Sequence, residues 1–434
     1  MLILVLWAIA VLGLLAGGLS FAIRQDLAIA NIQRDRLVAH WLARAGVERS
    51  IASLMDDIDA TDTLQDLWAD NESQFRDFEM SGGSFSVVRD GYEDVPNEWF
   101  GAGDECAKLN VNVATRDQLM KLPEMTNPVA AAILDWRDSN EDPEPDGIER
   151  GHYAGLPHPY IIRNGPMRTV RELLLVRGVT PDLFYGEDTN VNGRLDPNEN
   201  DGNASDPPDN ADGRLDRGWY AYLTVYSFEK NVNARGQKRL NLTSADAATL
   251  ASRLGLEDWA AQSIVKRREQ SEFKHLVDLL DVQRDPSVPR GSAEQDLNAR
   301  DDSEKDRPIT NSIFRSIVDE LTLKDDEVLS GRVNINTAPL VVLRTLMDDE
   351  LADAVVRQRE GDGYFSSVGD LLEVTGMTRE KFAALENSVA IRSSVFRVHG
   401  QGLAASGLAA AWIECVLDRS AEVPRVLFWL ESTP

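Results

Sequence analysis

The twelve residues DTNVNGRLDPNE, 188–199, set oxygen-bearing side chains at the spacing a hard divalent cation requires. Asp188, Asn190 and Asn192 take slots one, three and five of an EF-hand-type loop. Gly193 permits the sharp turn, Arg194 offers its backbone carbonyl, Asp196 stands at slot nine, and Glu199 closes the shell with two oxygens. Further on, NADGRLD (210–216) repeats NVNGRLD (190–196), so Asn210, Asp212, the Arg214 carbonyl and Asp216 form a second, weaker set. This set is incomplete, because Pro208 takes slot one and Trp219 slot twelve. The segment PNENDGNASDPPDN is turn-rich, so the pattern predicts loops folded around one or two structural calcium ions rather than an EF-hand pair. The acidic run DWRDSNED (135–142) is a secondary candidate.

Other chemistry is sparse. The five histidines, His40, His152, His158, His275 and His399, are scattered, and no His-Glu-x-x-His, P-loop or Gly-x-Ser-x-Gly pattern occurs. The expectation is a non-enzyme without a small-molecule substrate. Cys106 and Cys415 are too few for a disulfide scaffold or a zinc module. One long-range disulfide in an oxidising compartment and two buried thiols both remain open.

A phrase recurs three times: LNVNVATRDQL (109–119), LNLTSADAATL (240–250) and VNINTAPLVVL (333–343). Each copy is followed by a hairpin and a second helix, the pattern of a helix-hairpin-helix module. Thr337 and Ser244 are placed to cap the first helices of their copies. Modules that grip DNA use Gly-x-Gly hairpins and nearby cations to reach a phosphate. Here the hairpins are LPEMTNP, LGLEDW and LMDDEL, each with a carboxylate and none with Gly-x-Gly. The chain carries 72 acidic against 45 basic residues, a net charge of −27, which also opposes nucleic acid. The repeats therefore read as helical packing units, and KRRE (266–269) as a solvated helix face.

These segments need a frame to hold them. Residues 1–23, MLILVLWAIAVLGLLAGGLSFAI, carry no charged side chain and suffice to cross a ~30 Å hydrocarbon layer. Residues 24–55 continue the helical pattern without proline, with Leu27, Ile32, Leu37, Leu42, Val47, Ile51 and Leu54 recurring at loosely helical spacing. The segment GGSFSVVRDGYEDV (82–95) alternates as a strand. SVAIRSSVFRVHGQG, LAAAWIECVLDRS and PRVLFWLES, near the C-terminus, predict a β-meander. The fold class is α+β: a long N-terminal helix on an antiparallel sheet, with a large helical domain inserted. The predicted divisions are a membrane or fibre helix at 1–58, the first part of the sheet at 59–112, the helical domain at 113–386 with its calcium loops at 186–218, and the second part of the sheet at 387–434.

The chain's opening resembles type IV pilin-like proteins, and ARAGVERSIASL (43–54) is similar to the helix of the minor pseudopilin K of type II secretion systems. Most pilins carry Glu as the fifth mature residue; position 5 here is Val, and K-type minor pseudopilins lack that Glu. The Asp-Trp-x-Asp run at 135–138, PYIIRNGP (159–166) and ELLLVRG (172–178) also resemble this family. The resemblance implies a component of the pseudopilus tip that helps to initiate assembly and the export of folded proteins across the outer membrane. It implies other minor pseudopilins and the major pseudopilin as partners, with no nucleic acid, and calcium bound in the helical domain. It also implies a single pass through the inner membrane by residues 1–23, with the globular part in the periplasm. The alternative readings are a membrane-anchored helix-hairpin-helix DNA receptor and a calcium-dependent surface adhesin.

Overall fold

The computed structural model describes the chain except residues 58, 59, 90, 92–98, 192, 194, 207, 289–306, 362, 422, 433 and 434. Helix α1 runs unbroken over Leu2–Asp56, 55 residues, or ~80 Å at ~1.5 Å per residue. Residues 2–34 of it are exposed on every side. From there Ala39, Leu42, Ala43, Gly46, Val47, Ser50 and Leu54 recur every three or four positions and are buried, so one stripe of the second half packs against the globular part. Among the described residues, α1 is the one helix long and apolar enough to cross a membrane by length and composition.

That stripe lies on a six-stranded antiparallel sheet. In chain order the strands are β1 (Phe78–Met80), β2 (Gly83–Val88), β3 (Gly103–Asp104), β4 (Val395–Ala404), β5 (Ala410–Asp418) and β6 (Arg425–Glu431). Their spatial order is β1-β2-β4-β5-β6, with β3 also paired to β4. The central strand β4 comes from the C-terminal end and the strand beside it from the N-terminal end, so neither end forms the sheet alone. The alternation in VFRVHGQGLA turns Phe396 and Val398 towards α1, then Gly400 and Gly402. A Cβ on Gly400 would lie 2.6 Å from the Ala43 carbonyl oxygen, and one on Gly402 2.0 Å from that of Ala39. These glycines let helix backbone rest on strand backbone, and Ala39, Ala43 and Gly46 answer them from the helix side. Leu42, Val47, Leu54, Phe85, Val87, Phe396, Val398, Ile413, Cys415 and Leu417 fill the core between the layers.

Between β3 and β4 the chain builds a second core, which holds Leu109, Leu119, Trp136, Leu173, Trp219, Leu250, Leu279, Phe314, Leu343 and Phe382. Each repeat opens with two residues that pair in parallel with its own closing residues: Leu109–Asn110 with Leu223–Thr224, Leu240–Asn241 with Leu321–Thr322, and Val333–Asn334 with Val389–Ala390. Leu109–Asn110 thus belongs to the first repeat, and the sheet's contribution from this side ends at Asp104 rather than at 112.

The opening turns differ from the sequence reading. In the first copy Thr115 caps the helix through a reciprocal box with Gln118. In the second the cap is Asp246, accepting from Thr249 N, and Ser244 is not used. In the third Thr337 is fully buried and donates instead to Asp104 Oδ2 (2.5 Å). The helix starts only at Leu340 and Pro339 takes the cap position, so Thr337 lies two residues too early to cap it.

Candidate metal-binding sites and the repeat geometry

The two acidic loops share one conformation. Val191 and Ala211 take positive φ (58° and 54°), and so do Gly193 and Gly213 (70° and 79°). Asn190 Nδ2 donates to Asp196 Oδ2 (2.7 Å), and Asn210 Nδ2 to Asp216 Oδ2 (2.8 Å). In the first loop Gly193 N donates to Asp188 Oδ2 (3.0 Å) and Asp196 N to Glu199 Oε2 (3.0 Å). Glu199 is 1% exposed, and its Oε1 is buried without a hydrogen-bond partner. Burial pushes its carboxyl up, and Asp196 and Glu187 push the same way. Asn192 and Arg194 lie outside the described residues. In the second loop Asp212 N donates to Asn210 Oδ1 and Arg214 N to Asp212 Oδ1, both at 2.8 Å, and these three residues and Asp216 are exposed. Glu187 does what the loop's missing first ligand does not: its carboxylate accepts from Asn210 N (3.3 Å) and Asp216 N (2.9 Å), holding the second loop against the first. The repeat spacing gave no sign of Glu187, because it precedes the first loop.

The tightest gathering of acceptors lies elsewhere. Among the described residues, at least three carboxylate oxygens converge within 4.8 Å of one another at Asp57, Asp62 and Asp66, and at Asp135, Asp138 and Glu149. The first group already holds a cation, since Arg419 donates to Asp57 Oδ2 (2.8 Å) and to Asp62. Among the described residues, no Lys or Arg side chain donates to the second group. Asp135 is fully buried; its Oδ1 accepts from Glu144 N (2.9 Å), but Oδ2 has no partner. Both oxygens of Glu149 and Oδ1 of Asn164 are likewise shielded and unpartnered. Burial and the charges of Asp135, Asp138 and Glu141 push the Glu149 carboxyl up to about 7. The chain between them wraps tightly: a Cβ on Gly147 would lie 2.0 Å from Asp135 Oδ2. The unpartnered oxygens of Asp135 and Glu149 face Asp138, whose own oxygens accept from Asn140 N (3.2 Å) and Nδ2 (2.7 Å), and a hard cation would suit such a set of oxygens. The residues present therefore fit calcium, with Asp135, Asp138 and Glu149 as carboxylate ligands. The run DWRDSNED displays two of these; Glu149 and Asn164 had no signal at ligand spacing.

The repeat hairpins do not present a phosphate cradle. Lys121, just before the first hairpin, donates to the Met347 carbonyl of the third (2.9 Å), so these two hairpins face each other, and within the third repeat Lys381 pairs with Asp348 (2.8 Å). One arginine on the second helix of each repeat points inward. Arg137 donates to the carbonyls of Val111 and Ala114, Arg268 to those of Leu242 and Ala245, and Arg359 to those of Ile335 and Ala338. The acceptors hold the same places in all three copies. Arg268 belongs to KRRE, so one member of that run is bound to the fold rather than solvated.

Cys106 and Cys415 are both buried and unbonded. Cys415 faces α1 in the sheet core, whereas Cys106 packs with Val395 and Val416 on the other face. With the sheet between them the possible disulfide is not formed. On that same far face a buried ionic network joins the helical repeats to the sheet. Arg397 donates to Glu105 (2.6 Å) and Glu414, Arg171 donates to Glu414 (3.0 Å), and Tyr220 Oη donates to Glu414.

Two family models, both described as type II secretion system protein K, match this chain, one at residues 104–185 and the other at 333–392. The first covers the opening part of the first repeat, and the second covers the third repeat. The type II secretion system protein K of Pectobacterium carotovorum subsp. carotovorum is 39% identical over 56 residues, 13% of this chain. The match spans 17% of that protein's length. Among solved structures, the crystal structure of the GspK–GspI–GspJ complex from the enterotoxigenic Escherichia coli type 2 secretion system aligns over 93% of this chain and 99% of that one, at 12% identity and a TM-score of 0.49.

Proposed function

We propose that this chain, which belongs to the type II secretion system protein K family, works as a minor pseudopilin at the tip of a pseudopilus. The observation that carries the reading is α1: residues 2–34 are exposed on every side, and one stripe of the remainder packs on an antiparallel sheet. Such a helix suits a subunit that waits in the inner membrane with its globular part in the periplasm and then enters a fibre. Its partners are then the other minor pseudopilins and the major pseudopilin, and its part is structural rather than catalytic. The full chain, solubilised in detergent, should co-purify with sister minor pseudopilins. Failure to do so when all are co-expressed would sink the reading. A DNA receptor is disfavoured by hairpins that face each other and by Arg268 turned inward. The chain should leave duplex DNA unbound at moderate salt; micromolar binding that weakens steeply with added salt would reverse this.

Calcium belongs to the same reading as a structural ion. Asp135, Asp138 and Glu149 would hold one ion, and Asp188, Asp196 and Glu199 with the loop carbonyls a second. The ion would supply the positive charge these buried oxygens lack. An ion that binds only the folded state stabilises by about 2.7 kcal/mol at a hundredfold excess over Kd. A chelator should therefore lower the melting temperature by about 3 °C for each ion lost. Glu149→Gln and Glu199→Gln should each remove part of that response, and Glu272→Gln, at an exposed position, none. An unchanged melt with chelator would refute both sites. Loss of the response in one variant alone would assign the ion to that site.

A further inference from the structure

The acidic loop leaves and rejoins the fold at a single point. Gly186 and Arg217 form an antiparallel bridge, Gly218 N donates to the Tyr185 carbonyl (3.0 Å), and Glu187 N donates to that of Asp216 (2.8 Å). The next residues turn at once into Trp219–Ala221, which carries Tyr220 into the interior. On one side the Tyr220 ring meets Phe184 (5.7 Å between centroids) and Tyr185 (6.3 Å), the residues that start the loop. On the other it reaches the sheet: its hydroxyl donates to Glu414 of β5 and accepts from Arg397 of β4 (2.5 Å). The guanidinium groups of Arg171 and Arg397 lie 5.0 and 5.1 Å from the ring centre. The loop meets the sheet a second time, where Val191 lines a small cavity with Arg89, His399 and Glu414. The helical repeats are tied to the sheet by only two chain crossings, after Asp104 and before Val395, so their seating depends on side chains at this seam.

We propose that loop 186–218 is a latch between the helical repeats and the sheet, its order being passed through Tyr220 to Arg397 and Glu414. Glu187 closes the loop from within, and a bound cation would close it further; that second part rests on the calcium reading, and the first does not. When the loop is ordered, Tyr185 and Phe184 hold the Tyr220 ring in place and its hydroxyl completes the shell of Glu414. When the loop opens, the ring loses its backing and water reaches buried charges, which weakens each pair. Calcium in the loop would then fix how the helical repeats sit on the sheet, some distance from the ion itself.

Hydrogen exchange on the full chain in detergent tests this, read at 186–218 and at strands 395–404 and 410–418. Glu187→Ala, which needs no ion, should speed exchange in the loop and in both strands by about tenfold. Should that variant not fold, Glu187→Gln serves, with a smaller change of the same pattern. Calcium added to the wild type should slow exchange in both places. Tyr220→Phe should keep the loop's response to calcium and abolish that of the strands. Strands unchanged when Glu187→Ala loosens the loop would overturn the latch, whatever calcium does. A loop indifferent to calcium would overturn the calcium reading, while the Glu187 variants still judge the latch.

Discussion

Arg397→Met should destabilise the fold by about 3–5 kcal/mol, the cost of breaking a buried ion pair from one side. Arg397 stands between Glu105, which is fully buried, and Glu414, 3% exposed. Burial alone would raise both carboxyls. Arg397 reverses this at each, aided by Lys108 at Glu105 and Arg171 at Glu414, and both sit at about 2. A carboxyl held below its unfolded value of about 4.5 contributes stability that is full above that pH. The contribution is lost as pH falls from about 4.5 towards 2. The wild type should therefore lose melting temperature steeply over that window. Arg397→Met should melt lower at pH 7 and lose much less on acidification, because its carboxyls are no longer held down. Adding Glu105→Gln and Glu414→Gln should recover part of the loss, since neutral amides tolerate burial better than unpaired charges. Equal melting of variant and wild type at pH 7 would mean that the network contributes nothing.

This network also shows where reading the sequence stops. The frame was legible because its signals are local. An uncharged run that passes into an apolar stripe marked α1, and alternation in VFRVHGQGLA marked β4 despite the alanines and glycines beyond it. The repeated phrase announced three equivalent units. None of those signals names a partner distant in the chain. Tyr220 and Glu414 are separated by 194 positions, and Arg397 and Glu105 by 292. Thr337 looked like a helix cap because only its neighbours were in view; Asp104, 233 positions away, takes its hydroxyl. The metal-like groups divide in the same way. The loop at 188–199 was visible because its donors alternate within twelve residues, whereas the pocket at Asp135 is finished by Glu149 and bordered by Asn164, brought back by a turn at Gly147.

The run KRRE offers the sharpest separation of a solvated charge from a structural one. Arg359→Met should cost about 3 kcal/mol or more, because it removes two charge-assisted hydrogen bonds and strands the buried carbonyls of Ile335 and Ala338. Arg359 is 7% exposed, so water replaces those bonds poorly. Arg268→Met breaks the equivalent pair, to Leu242 and Ala245, in a half-buried setting and should cost about half as much. At each site one nitrogen, Nη1, makes both bonds, so lysine, whose ammonium also carries several donors on one nitrogen, should restore part of the loss where its shorter stem reaches. Two positions earlier in the run, Lys266 pairs with Glu269 (3.1 Å) at about half exposure of both side chains. Such a pair contributes about 0–1 kcal/mol, so Lys266→Met should leave melting nearly unchanged. Denaturant unfolding of the four chains, wild type included, gives the ranking directly. Equal costs for Lys266→Met and Arg268→Met would return the whole run to the solvent. The expected order, Arg359 then Arg268 then Lys266, would make the inward arginine the common fastening of the repeats. Their hairpins, free of phosphate contacts, are then left to pack on one another, as Lys121 does on Met347.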